Sequence, residues 1–560
     1  MTMHPPCPID ATATRWSQRF AQCARKARAV LPLAFAALLS ACASLPAPTD
    51  PAPAPTHAID NYAETPLARM AAAELPADGR SGFLLQPYGP NAFATRLQLA
   101  KLATRSLDVQ YYLLKNDNTG MSLMRALRDA AARGVRVRVI VDDLYTAGED
   151  DLLLALASFP NIEVRIFNPF PAGRGSDLTR FAASAFDFER VNRRMHNKLF
   201  IADNAAAVIG GRNMADEYVM NAAGSNFVDM DAFVAGPAVR ALSNEFDTYW
   251  NSEVVYPVAQ IAHSPLDAPG LQQEFERLTA QAKPPEPRSL RVDGHAPSGS
   301  GGERTARSAE VVEMVDLPFD LALGRVPALL WANARVLYDP VTKTGGANQV
   351  DDSLKGTVTE GVIAWFSTAR EEIKMVSPYF VPKEATVAAL KRAHRAGVHV
   401  TLVTNSLAST DEPMVYVGYQ AHLKELLEAG VEVRELSPTL SVKRGRMGIF
   451  GTRTGALHMK NGIVDHRAVF LGSMNLDPRS AHLNTELGVI IESPEMARQL
   501  EGLTDVGSSY ELRLSPDGQR VQWVEVDDGK EIVHDAPPET SAWERFKLKF
   551  MAPFVPVGDL

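Results

Sequence analysis

The chain has 560 residues, 46% hydrophobic and 22% charged, a balance that excludes a disordered chain and a polytopic membrane protein. Its 57 basic and 66 acidic residues give a net charge of −9, which argues against a general nucleic-acid binder with a basic surface. Three cysteines cannot build a disulfide framework.

The N-terminus carries Arg15, Arg19, Arg25, Lys26 and Arg28 against one acid, Asp10. An apolar run from Ala29 to Leu39 follows, far short of the ~20 residues that span a bilayer. A basic stretch, a short apolar run and then small residues is the order of a secretory signal peptide. Leu39-Ser40-Ala41-Cys42 resembles a bacterial lipobox, whose cysteine becomes the lipidated first residue. With Ala43 following it, this resemblance implies outer-membrane sorting more than inner-membrane retention. Cleavage after Ala41 removes Cys7 and Cys23 and leaves 52 basic against 65 acidic residues, a mature charge of −13. Residues 42–80, with Pro46, Pro48, Pro51, Pro53 and Pro55, are expected to form a lipidated, semi-rigid tether. The expected address is the bacterial cell envelope, anchored by lipid at Cys42 and facing the periplasm.

The body repeats itself once. Leu107–Tyr112 has a strand pattern, a helical stretch ends at Arg133-Gly134, and Val135–Val141 is a second, β-branched strand. Ile373–Phe380, a helix ending at Ala396-Gly397, and Val398–Val403 repeat the order in the second half. Ile162–Arg165 likewise matches Val431–Arg434. A glycine closing each helix is the usual left-handed stop, and strands alternating with helices predict an α/β fold with both sheet faces covered. The expected organisation is a first lobe over 81–280, a disordered Pro/Gly/Ser-rich insert over 281–308, a second lobe over 309–505 and an appendage over 506–560. In that appendage Asp517-Gly518 signals a hairpin. The basic-aromatic stretch Trp543–Met551 has two readings, an interfacial membrane contact or an element packed on the domain.

Each half holds one copy of a sparse motif. The first is His196-x-Lys198, Asp203 and Gly210-Gly211-x-Asn213; the second is His458-x-Lys460, Asp465 and Gly472-Ser473-x-Asn475. One copy should occur by chance in about one such protein in ten thousand, so two at equivalent places are no accident. Strand alternation puts each histidine and its lysine on one side. Two halves facing each other would gather two imidazoles, two ammoniums and two amides around one small space, a set suited to a phosphate. Lysine and asparagine would hold the non-bridging oxygens. One neutral histidine would attack phosphorus while the other, protonated, serves the leaving alkoxide. No metal or cofactor is required by this chemistry, and no His-Glu-x-x-His, Walker A or Gly-x-Ser-x-Gly sequence is present.

An attacking histidine needs a carboxylate on its other nitrogen. Eight residues before Pro237 and Pro494 stand Asp229 and Glu486, the expected orienting pair, with Asp231 as fallback. Asp203 and Asp465 belong to the motif, but at a strand end they are expected to tie down backbone or an arginine rather than touch substrate. Tyr111, Tyr112, Tyr379 and Phe380 could line an acyl groove, although core packing is the commoner fate of such aromatics.

The paired motifs resemble the phospholipase D superfamily, over about residues 80 to 500. Arg193–Lys198, Gly210–Tyr218 and Thr404–Asp411 look like its bacterial cardiolipin synthase C-type branch. The resemblance implies two tandem α-β-α sandwich lobes related by a pseudo-two-fold axis, with one active site between them, for which a monomer suffices. It also implies a phosphohistidine on His196, with His458 as acid and then base. Gly211 stands where the superfamily usually has serine, so the halves are not chemically equivalent. The expected activity is a phosphatidyltransferase or phospholipase D acting on membrane glycerophospholipids such as phosphatidylglycerol and phosphatidylethanolamine, most specifically cardiolipin synthesis. Hydrolysis to phosphatidic acid is the alternative. A nuclease is disfavoured by acidity and anchor, and a non-catalytic scaffold by the presence of both motif copies.

Overall fold

The computed structural model describes residues 45–46, 54–72, 75–287, 317–345, 353–438, 455–504, 509–527 and 530–554. The signal peptide and Cys42 lie outside these residues, as does most of the insert expected over 281–308.

The first half contributes β1 (Ser81–Gln86), β2 (Ser106–Tyr111), β3 (Arg136–Asp142), β4 (Ile162–Phe167), β5 (Lys198–Ala202), β6 (Ala206–Gly210), β7 (Asn226–Val228), β8 (Asp231–Ala235) and β9 (Val255–Pro257). Eight of these form one sheet in the order β1-β8-β6-β5-β2-β3-β4-β9, in which only β2–β3 and β3–β4 are parallel. The second half contributes β10 (Leu330–Tyr338), β11 (Glu372–Val376), β12 (His399–Asn405), β13 (Val431–Leu436), β14 (Gly455–Leu457), β15 (Asn461–Val464), β16 (Ala468–Gly472), β17 (Leu487–Glu492) and β18 (Ser509–Leu514). Its order, β10-β17-β16-β15-β11-β12-β13-β18, copies the first strand for strand, again with only the β11–β12 and β12–β13 pairs parallel. An antiparallel pairing of β1 with β10, Ser81 opposite Ala332 and Phe83 opposite Leu330, joins the two into one continuous sheet.

The helices follow from the sequence locally. Asn118–Ala132 is capped at its start by the Asp117 carboxylate, and Gly134 at φ 91° ends it, where a residue with a Cβ would be strained. In β2, β5, β6 and β8 every residue is buried, so both sheet faces are covered, as the uninterrupted apolar runs require. Among the described residues no helix is long and apolar enough to cross a membrane.

Three boundaries differ from the sequence expectation. The tether is not free to residue 80: the Thr56 carbonyl accepts from Arg138 and Asn251, and Leu67, Ala68 and Ala71 are buried in the first half's core. The helix Leu317–Ala322 packs on the first-half helix Gly89–Leu102, so the second lobe begins close to β10 rather than at residue 309. The appendage is no separate unit, because β18 extends the second half's sheet through β19 (Val521–Asp527) and β20 (Lys530–His534). The basic-aromatic stretch forms a helix, Ala542–Met551, which buries Leu548 and leaves Trp543 and Phe546 exposed.

Candidate active site

Both motif histidines sit where a strand is about to begin, on segments clamped by a neighbouring strand end. The Met195 N–H donates to Asp142 at the end of β3, at 2.8 Å. In the second half the Asn405 amide, at the end of β12, takes both the N–H and the C=O of Leu457, each at 2.9 Å. The next contact crosses between halves. Met195 bridges Thr485 in parallel, with the His196 N–H donating to the Thr485 carbonyl at 2.9 Å. By symmetry β14 pairs in parallel with β7, and the His458 N–H donates to the Val228 carbonyl at 2.8 Å. The residue after Thr485 is Glu486 and the residue after Val228 is Asp229, so each carboxylate is delivered to the opposite half's histidine.

His196 Nδ1 lies 2.9 and 3.1 Å from the Glu486 oxygens, and His458 Nδ1 lies 2.6 Å from Asp229 Oδ2. With a carboxylate opposite, Nδ1 carries the proton and donates, leaving Nε2 as the reactive nitrogen. Lys198 and Lys460 each donate from Nζ to the carbonyl of their own histidine, at 2.6 and 2.5 Å. Glu486 is further held by Ser473 Oγ at 2.5 Å and Ser480 Oγ at 2.7 Å, and its N–H donates to Asp339 at 2.9 Å. Among the described residues no serine donates to Asp229, whose carboxylate instead accepts the Met230 N–H at 2.8 Å. A Cβ at Gly211 would run into the Asp229 carboxylate, so the glycine that departs from the superfamily pattern is what the shorter acid requires.

All six groups are buried, and burial dominates their electrostatics. It pulls both histidines well below the usual imidazole range, helped by Lys198 and Lys460. It lowers Lys198 to about 7 and Lys460 to about 8. Burial raises Glu486 to about 7 and pushes Asp229 upward. Both imidazoles are therefore neutral, and two lysines stand against two carboxylates.

Asp203 and Asp465 drop out of the catalytic set. Each opens a tight three-residue turn between β5 and β6, or β15 and β16, with φ of 52° and 51°, the left-handed region that aspartate tolerates in such hairpins. The Asp203 carboxylate accepts the N–H groups of Thr104, Arg105 and Ser106, and Asp465 those of Arg370, Glu371 and Glu372. Both thus anchor the loop that starts β2 or β11, at the strand end remote from the lysines. The fallback Asp231 pairs with Arg96 at 2.9 Å and Arg212 at 3.4 Å and does not reach a histidine. Asn213 and Asn475 are buried beyond β6 and β16, each with a side-chain oxygen that has no hydrogen-bond partner among the described residues.

Of the two aromatic walls, sequence reasoning singled out Tyr112 and missed Tyr218. Tyr112 packs edge-on against His196 with ring centroids 4.9 Å apart, and Tyr218 does so against His458 at 5.0 Å. Of the four aromatics singled out, Tyr112 is one of these walls and Tyr379 donates to Asp411 at 2.8 Å, whereas Tyr111 and Phe380 are core. Ser480 and Asp339 carried no sequence signal, since nothing in their spacing ties them to Glu486. Among the described residues, one cluster has metal-ligand proximity, Glu372, His466 and Glu501. Its histidine spends both nitrogens on the glutamates, at 3.3 and 2.7 Å, beside the Asp465 turn and away from the motif histidines.

Residues 97–250 and 362–504, together more than half of the chain, match the family described as cardiolipin synthase, PLD-like domain. The chain is 36% identical over 500 residues to cardiolipin synthase C of Escherichia coli (strain K12), covering 88% of this chain and 99% of that one. It is 24% identical over 446 residues to a cardiolipin synthase of Staphylococcus aureus (strain Mu50), covering 79% and 70%. In fold it resembles the crystal structure of phosphatidylserine synthase from Haemophilus influenzae Rd KW20, with a TM-score of 0.53, 13% identity and coverage of 87% and 96%. On the duplicated sheet, the paired motifs and these matches, the chain belongs to the phospholipase D superfamily, in its cardiolipin synthase PLD-like family.

Proposed function

We propose that the protein is a cardiolipin synthase-like phosphatidyltransferase that moves a phosphatidyl group between glycerophospholipids through a phosphohistidine. The observation that carries this reading is the crossed arrangement itself: two imidazoles, each aimed by the other half's carboxylate, enclosed with two lysines. Neither half could hold its histidine in that state alone.

A phosphodiester entering the site adds one negative charge to a balanced set of lysines and carboxylates. That charge restores the lysines' protons and draws a proton onto one imidazole. His196 Nε2 attacks phosphorus while Glu486 stabilises the charge growing on its ring. Lys198, Lys460, Asn213 and Asn475 hold the non-bridging oxygens. Protonated His458 gives its Nε2 proton to the leaving alkoxide as the P–O bond breaks. The freed alcohol departs, and a second lipid's hydroxyl takes its place. His458, now neutral and aimed by Asp229, accepts that hydroxyl's proton while its oxygen attacks the phosphohistidine, releasing His196. With phosphatidylglycerol as acceptor the product is cardiolipin. Phosphatidylglycerol or phosphatidylethanolamine serves as donor.

The Leu39–Cys42 sequence, read as a lipobox, and the proline-rich segment after it support a lipid-anchored position at the periplasmic face of the envelope, which is part of this proposal. Lipid analysis of cells expressing the wild type and His196→Ala tests the reading. A rise in cardiolipin dependent on His196 is expected. A rise in phosphatidic acid would establish hydrolysis instead, and unchanged lipids with retained nuclease activity would refute both.

A further inference from the structure

The connection between β4 and β5 presents large apolar side chains to solvent: Leu178 is 82% exposed, Phe186 93% and Phe188 55%. Loops rich in such residues normally fold them inward, and contiguous exposed apolar surface marks a contact site. This connection is held rigidly while doing so. Arg174 pairs with Asp143 at 2.6 Å and Asp150 at 2.7 Å. The buried Arg180 donates to the Leu144 carbonyl at 3.1 Å and lies over the Phe170 ring. Arg190 ties the far end to the Pro169 carbonyl at 3.1 Å. Arg174 and Arg180 thus face inward while Leu178, Phe186 and Phe188 face outward, the reverse of a soluble loop.

Its position gives the patch meaning. The helix Asp177–Ala183 is bonded to Asp143 and Leu144, next in the chain to Tyr145, which is 51% exposed. The Tyr145 ring is 5.3 Å from that of Tyr112, which packs on His196. Ring contacts thus run from the reactive histidine to Tyr145, and Arg180 ties the helix that carries Leu178 to the two residues before that tyrosine. On the rim Asp187 and Glu189 pair with Arg190 and Arg193 and Asp177 is exposed, so the arginines there are offset by acids and the contact is read as apolar.

We propose that this platform, led by Leu178, Phe186 and Phe188, inserts into the acyl region of a glycerophospholipid bilayer and sets the mouth of the site at the headgroup level. The inference rests on the phosphatidyltransferase reading, because a diacyl substrate must bring its phosphodiester to His196 while its chains stay in apolar surroundings. Each large apolar side chain transferred from water contributes about a tenfold factor or more to partition.

The test uses the full chain with two substrates, phosphatidylglycerol in mixed phosphatidylethanolamine vesicles and short-chain dihexanoyl-phosphatidylglycerol kept monomeric. The double variant Leu178→Glu/Phe186→Glu should lose at least about 30-fold in kcat/KM on vesicles and stay within about twofold on monomers. Leu178→Ser/Phe186→Ser should show the same split, without added charge. Hydrogen–deuterium exchange of the wild type should show residues 177–191 protected on vesicle addition, persisting at high salt because the contact is apolar. Equal activity of variant and wild type on vesicles, equal loss on both substrates, or unchanged exchange would each overturn the proposal. So would exchange protection that tracks dimer formation in sedimentation, which would make a second copy the occupant. A wild type inactive on both lipids would refute the phosphatidyltransferase reading, while exchange with vesicles still decides insertion.

Discussion

Gly211→Ser restores the residue that most of the superfamily carries, and the structure expects it to be damaging. The serine Cβ would occupy the place of the Asp229 carboxylate, which is buried and 2.6 Å from His458 Nδ1. Either the acid moves and His458 loses its partner, or the β6 end shifts with Asn213. A charge-assisted hydrogen bond of this kind contributes ~2–3 kcal/mol, so its loss should lower kcat roughly 30- to 150-fold. The second half shows how a serine can be accommodated. There Ser473 stands at the equivalent position and donates to Glu486, whose extra methylene carries the carboxylate past the serine Cβ. Gly211→Ser/Asp229→Glu should therefore recover at least about tenfold over the single variant, a coupling that a double-mutant cycle measures directly. Steady-state phosphatidyl transfer on purified variants, with thermal melting as the folding control, is the assay. Wild-type turnover by Gly211→Ser, or no gain from the second change, would refute the steric argument.

The kcat/KM profile of the free enzyme should be bell-shaped with a maximum near neutrality. Glu486, raised to about 7 by burial, is ionised only above that value, while Lys198 and Lys460, lowered to about 7 and 8, are charged only below theirs; a flat profile from pH 5 to 9 would contradict this balance. Asp203→Ala and Asp465→Ala should each cost ~2–3 kcal/mol of stability by stripping the acceptor from three backbone donors. Turnover of their folded fractions should stay within about threefold, and normal melting with abolished turnover would return these acids to the catalytic set. Asn197 bridges buried Glu245 at 2.7 Å and Thr485 at 2.9 Å, directly behind the His196–Glu486 contact. Asn197→Ala should leave both groups unpaired and lower kcat about tenfold or more with KM little changed, and a pure KM effect would argue for a role in substrate binding.

Much of this architecture was legible beforehand because it is written in local periods. The β-α-β repeat, the glycine stops and the one-sided placement of His196 with Lys198 follow from strand and helix geometry over a few residues. Asp229 and Glu486 were found by equivalence between the two copies, although no spacing indicated which histidine each would meet. Gly211 was visible as a departure, but its cause was not, since the atom it avoids comes from a residue eighteen positions later in the chain. Helix Leu317–Ala322 was placed in the wrong lobe because an apolar run reveals that a face will be buried and not against what.

The two motif copies, their carboxylates and the duplicated sheet are therefore properties of the amino-acid sequence alone, set by alternation and repetition. The crossing was decided only in three dimensions. Antiparallel pairing of β1 with β10 joins the halves, and parallel contacts at Met195–Thr485 and Leu457–Val228 then carry each acid to the other's imidazole. Those partners are 229 and 290 residues apart, far beyond any local period. What fixes them is that each buried histidine is left without an acceptor until the opposite half supplies one.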